Sequence, residues 1–204
     1  MLVVAFCAAQ AGHSNWVIGD EVTAEFLRHV EDFRIEVKSY RGHFVIQPSD
    51  HSEEGTLDVI LPATYRLRYG VADEITIGPE RFLYDSHLGT WKLSSKSASP
   101  SVPLNPLESY GEAIIRNELS VAKGGERKLK GQTCREFQVS LPGSRFPRAT
   151  FCFTRDGSLL RFKQEDSQRS SFTIVYSDFN DASINVSPPT DYRIATPTPI
   201  RLNQ

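Results

Sequence analysis

From Gly19 to about Lys38 the apolar residues Val22, Phe26, Val30, Phe33 and Val37 recur every three or four positions. That spacing predicts an amphipathic helix with one buried stripe, and Asp20 stands where a capping carboxylate belongs. Strict alternation then takes over. It predicts strands at Tyr40 to Gln47, Thr56 to Leu61, Thr64 to Tyr69, Glu74 to Ile77, Arg81 to Asp85 and Thr90 to Leu93. In YRLRY, Tyr65, Leu67 and Tyr69 fall on one face and Arg66 and Arg68 on the other, the pattern of a sheet covered on one side. Pro62, between two of these strands, marks a bend or an edge. A Ser/Lys/Pro loop, KLSSKSASPSV, follows, and a second helix is predicted from Pro106 to about Leu119. It starts with proline in its first turn and carries Leu107, Tyr110, Ile114 and Ile115 on one side.

The last third returns to alternation. The segments CREFQVS and RATFCF read as a hairpin folded about Gly143. An Asp156-Gly157 pair supplies the next tight turn, and apolar residues then alternate at Leu160 and Phe162, at Phe172, Ile174 and Tyr176, and at Ile184 and Val186, giving three strands closed by Pro188-Pro189. The proline-rich tail after Ser187 reads as extended, with one edge strand at Tyr192 to Ala195. The order is a helix, about six strands, a helix and about five strands. Neither strand-helix alternation nor an internal repeat is present. A long antiparallel sheet with two helices has two ways to cover its apolar face: it closes into a barrel, or the helices lie across the opening and leave an apolar cavity.

The cysteines bear on the compartment. Folding CREFQVS onto RATFCF sets Cys134 opposite Cys152, both on the polar face, with Phe137, Val139, Ala149, Phe151 and Phe153 on the other. A cross-strand disulfide there stabilises the fold by about 3 kcal/mol and persists only in an oxidising compartment. Two reduced cysteines brought close by register remain the alternative. The N-terminus, MLVVAFCAAQAG, has a short apolar run and an Ala9-Gln10-Ala11 triplet like a signal-peptidase site, without the basic start of a full signal. A clipped secretion signal, a buried cytoplasmic N-terminus and lipidation at Cys7 are the readings it allows.

Composition narrows the function classes. With 204 residues, 39% of them hydrophobic and 24% charged, the chain has material for one ordinary domain. A net charge of -2 gives no electrostatic reason to expect a nucleic-acid partner. Lys123, Arg127, Lys128 and Lys130 sit among Gly124, Gly125 and Gly131 in what reads as a solvated loop. The order of a phosphate loop, Gly-Lys-Ser/Thr between strand and helix, is absent. The five histidines occur singly, and His29 at the edge of the first helix's stripe reads as a boundary residue. Glu53-Glu54 and Glu165-Asp166 are neighbours that point apart. No hydrolase motif or metal-ligand cluster is present, so neither catalytic residues nor a cofactor or metal is expected.

Several blocks in order carry a family resemblance. Gly55-Thr56-Leu57, then Pro62, then Tyr65-Arg66, followed by ITIGPERFLYD, RDGSLLRF, Gln168 to Ser171 and the closing Pro188-Pro189, resemble the periplasmic lipoprotein carrier LolA and its relatives of the LppX/LprG and RseB type. The resemblance spans residues 20 to 190. Gly78-Pro79-Glu80 departs from the family's usual Asp-Gly, and the cysteine pair is not in its pattern. The fold implied is α+β: a single strongly curved antiparallel sheet, an open half-barrel of about 11 strands, with helices covering the concave face. The domain would run from 19 to 190, after a residual signal-like segment at 1–18 and before an extended tail at 191–204.

The implied function is non-enzymatic binding or carriage of lipids or lipid-modified proteins in an apolar cavity of the cell envelope, periplasmic or secreted. Its partners would be acyl chains and membrane-associated donor or acceptor proteins, not nucleic acid. Phe44, Leu67, Tyr69, Ile77, Phe82, Trp91 and Phe172 on the sheet, with Leu107, Tyr110 and Ile114 on the lid helix, are the candidate cavity residues. Arg66 matches a position where carriers place an arginine that bonds the lid, although alternation sets it opposite Tyr65. An envelope-stress sensor and a secreted domain with a filled core are the alternatives.

Overall fold

A computed structural model describes residues 21–47, 52–94, 105–107, 110, 113, 120–140, 147–166 and 170–194. The N-terminal segment with Cys7, the cap Asp20, Gly143 and Ile114 lie outside the described residues. Helix α1 runs Glu21–Glu36 and buries Phe26, Leu27, Val30 and Phe33. Six strands follow: β1 Ser39–Gln47, β2 Glu53–Ile60, β3 Thr64–Tyr69, β4 Ala72–Ile77, β5 Glu80–Asp85 and β6 Thr90–Ser94. Pro106, Leu107, Tyr110 and Ala113 are helical, as the second apolar stripe requires. The last half adds β7 Ser120–Leu129, β8 Gln132–Ser140, β9 Arg148–Thr154, β10 Leu159–Glu165, β11 Ser171–Ser177 and β12 Tyr192–Ile194.

All 12 strands form one sheet in the order β12-β6-β5-β4-β3-β2-β1-β11-β10-β9-β8-β7. Neighbours are antiparallel except β12, which lies parallel to β6. The two ends are not paired with each other, so the sheet is an open half-barrel. Its concave face carries the main core, in which Phe26 of α1 meets the rings of Phe137, Phe151 and Phe153, and Tyr110 of the second helix meets Phe151 and Phe162. Gly55 is needed for this layer. A Cβ there would come within 2.3 Å of the Phe44 ring and 2.4 Å of the Arg68 carbonyl oxygen.

Two expectations are corrected. The basic, glycine-containing stretch is a loop only at Lys130 and Gly131, the turn into β8; from Lys123 to Leu129 it is most of β7, an edge strand whose register shifts by a bulge between Lys123 and Glu126. Charges and a bulge are what an unpaired edge carries to resist pairing with another chain. Ile184 and Val186 do not form a strand either. Their segment has no ladder partner, yet both side chains are buried.

That segment is part of a strap that begins at the end of β11. Asn180 fastens its start, accepting from the Lys38 and Ser39 amides at 2.7 and 3.2 Å and donating to the Glu36 carbonyl at 2.9 Å. Arg41 then donates to Ser183, Val186 packs with Ile75 and Phe82, and the chain ends its described course as β12.

Candidate functional site

Pairing register assigns each candidate residue to a face, because residues opposite one another in a ladder project to the same side. Phe44 lies opposite Ile174 and Gly55, Leu57 opposite Leu67, Gly55 opposite Tyr69, and Ile46 opposite Phe172. Phe44, Leu67, Tyr69 and Phe172 therefore share the concave face. Leu107 and Tyr110 reach the same core from the helical layer. Phe44 and Leu67 are fully buried, and Phe44 makes tilted or edge contacts with Tyr69 and Phe172 at 6.2 and 6.1 Å.

Ile77, Phe82 and Trp91 do not belong with them. Ile75 opposes Arg66 and Phe82, and Phe82 opposes Leu93, so this set projects from the convex side together with Arg66. There Ile75, Phe82 and Val186 form a separate cluster, with Ile60, Ile77, Trp91 and Leu93 packed against it. The apolar face of the sheet thus changes sides between β3 and β4. A uniform alternation rule missed the change because each strand taken alone is amphipathic either way, and only the ladder register tells the two faces apart. Arg66 sits on this outer side and forks onto Asp73 at 3.0 and 2.6 Å, which raises its pKa.

Where the concave face loses its apolar residues it gains a buried polar cluster. Glu74, 5% exposed, accepts from the Tyr65 hydroxyl at 2.5 Å and from Arg81 at 2.7 Å. Arg81 pays part of the desolvation of that carboxylate, and the carboxylate in turn holds the guanidinium's pKa up. Burial, then the Glu74 hydrogen bond, pushes the Tyr65 phenol up to about 12. The buried Nε of Arg81 and Oγ1 of Thr90 have no hydrogen-bond partner. Nothing in the sequence distinguished Glu74 from the solvated carboxylates around it.

The disulfide is present, with a Cα separation of 5.4 Å. Its register is diagonal rather than directly opposed: Cys134 faces Thr154, and Cys152 faces Glu136. The face is the polar one expected, with Arg127, Glu136, Thr154 and Arg161 opposite the cysteines, although both cysteines are themselves buried with Leu160, and Leu129 packs alongside. His29 is a boundary residue, stacked on Phe153 at 4.7 Å, with desolvation and then Arg28 lowering its pKa. Among the described residues no helix is long and apolar enough to cross a membrane.

No family model and no curated protein sequence matches the chain. Solved structures do match in fold. The lipoprotein LppX of Mycobacterium tuberculosis superposes with a TM-score of 0.53 at 13% identity, over 80% of this chain and 97% of that one. LprF from Mycobacterium bovis gives 0.56 at 10% identity, over 81% and 97%. MucB gives 0.56 at 11% identity, over 85% of this chain and 65% of its own. The open sheet lidded by helices is the fold of LppX, LprF and MucB, the fold that the sequence blocks resembled.

Proposed function

We propose that the chain is a non-enzymatic carrier of acyl chains in the cell envelope, taking lipid or a lipid-modified protein between the concave face and its helical layer. One observation carries the reading. The concave face is a continuous apolar surface, from Tyr65 and Leu67 through Phe44 and Phe172 to Phe137, and its cover is α1 with the helical residues Leu107 and Tyr110 rather than a second sheet. A helix whose attachment to that face is mainly side-chain contact can be displaced without breaking a hydrogen-bonded ladder. An acyl chain that replaces the helix stripe gains about 0.8 kcal/mol per buried methylene, with no polar chemistry required.

In the present conformation the face is filled by Phe26, Leu27, Val30 and Phe33 of α1 and by Leu107 and Tyr110. Entry therefore proceeds by exchange of these side chains for lipid. The envelope location rests on the buried disulfide, which needs an oxidising compartment. The same surface serves an interaction module of the sensor type; the two readings differ in the protein partner and agree on the acyl chain.

The test is native mass spectrometry of protein purified from an exporting host, alongside titration with a fluorescent fatty-acid probe. Acyl adducts and saturable uptake are expected. Apoprotein alone, with no probe uptake, would leave a domain with a permanently filled core.

A further inference from the structure

A cleft of about 490 Å³ opens at the opposite end of the sheet from the Glu74 cluster, where α1 meets the rim formed by β7, β8 and β9. Its charged and titratable lining is Glu25, Arg28 and His29 from α1, Glu126 from β7, Arg135 from β8 and Arg155 from the turn after β9. The two carboxylates are already occupied: Glu25 accepts from Lys123 at 2.7 Å and Glu126 from Arg135 at 2.8 Å. Arg28 and Arg155 are exposed, and among the described residues neither has an ion-pair or hydrogen-bond partner. They reach the cleft from two different elements.

Also lining it is His29, its ring flat on Phe153 and edge-on to Phe137 at 5.6 Å. Its Nδ1 is buried without a partner. A sealed lone pair costs less than a sealed N–H, so the neutral ring carries its proton on Nε2. Two aromatic rings hold the imidazole in one orientation.

We propose that this cleft binds a phosphate oxyanion. Guanidinium forks arriving from separate elements suit the several oxygens of a tetrahedral phosphate, and the unpaired pair supplies the charge. The cleft is larger than one phosphate group needs, so it has room for a body attached to the phosphate. The chemistry is shared by a lipid headgroup and by free phosphate. It lies at the rim rather than on the apolar face, so failure of acyl-chain uptake leaves it standing.

The full chain is titrated with inorganic phosphate, with dihexanoyl phosphatidic acid below its micelle concentration, and with dihexanoylglycerol as the phosphate-free control. Backbone amide shifts are followed at residues 25–29, 133–137 and 153–157. Phosphatidic acid is expected to shift these amides, and dihexanoylglycerol to leave them unmoved. Binding in the Arg28→Gln/Arg155→Gln double variant should weaken roughly tenfold or more. Both side chains are exposed and unpartnered, so the variant keeps its fold, which the remaining amide dispersion reports. Comparable binding of inorganic phosphate identifies free phosphate as the source; response to phosphatidic acid alone identifies the headgroup. No shift with either phosphorylated probe, or unchanged affinity in the double variant, overturns the proposal.

Discussion

Four tyrosines report on how dry the core is. Burial raises the phenols of Tyr40 and Tyr176 well above the ordinary value, burial takes Tyr110 up to about 12, and burial with the Glu74 hydrogen bond does the same for Tyr65. In an unfolded chain each titrates near about 10. As pH rises from 10 towards 12 the unfolded chain releases protons that the folded chain keeps, so stability, full below pH 10, falls through that window. Phenolate absorbance should therefore leave these four silent near about pH 10, and the urea midpoint should drop between about pH 10 and 12. A midpoint that stays flat over that range would show the phenols to be wet. At this scale the sequence spoke clearly for Phe44, Leu67 and Tyr65, whose alternation is intact. It was silent on Glu74 and Asn180, whose roles depend on partners distant along the chain or across a ladder.

Elements were legible wherever burial imposed a period. The strands from β1 to β6 begin and end within a few residues of their expected limits, because burial alternates along β1, β2 and β3 and turns separate the rest. β7 escaped notice because an edge strand with exposed charges on both faces has no period to read, and its paired glycines imitate a turn. The Ile184 and Val186 pair misled in the opposite sense: alternation there reflects burial of a strap against a sheet face, without a ladder. The β8–β9 pair offers a measurement. Its disulfide closes a separation of 18 residues, for which the chain-entropy estimate is about 3 kcal/mol. A Cys134→Ser/Cys152→Ser variant should lose roughly that much in urea unfolding, with a somewhat steeper slope because its unfolded chain is less compact. Equal midpoints for the two proteins would mean that the buried bridge adds no net stability.

Across the whole molecule the main departure from the sequence reading is the change of apolar face between β3 and β4. It divides the nine described residues of those expected to line one cavity: Phe44, Leu67, Tyr69 and Phe172 face the helical layer with Leu107 and Tyr110, while Ile77, Phe82 and Trp91 lie beneath the strap. The strap's importance can be tested by ending the chain after Ser183. Removing Ile184, Val186 and β12 should uncover Ile75 and Phe82, enhance binding of a hydrophobic dye and lower stability by roughly 4 kcal/mol. An unchanged midpoint would make the strap ornamental.

The strap also sets an order of events. β1 is bonded along one side to β11, with Arg41 opposite Ser177, and the convex cluster on β4 and β5 is sealed by Val186. Strands early in the sequence thus depend on residues more than a hundred positions later. Until residues 171–194 are in place, the first six strands carry one open ladder side and a bare oily outer patch. Such long-range closure slows folding and leaves the half-made sheet prone to pairing with its neighbours.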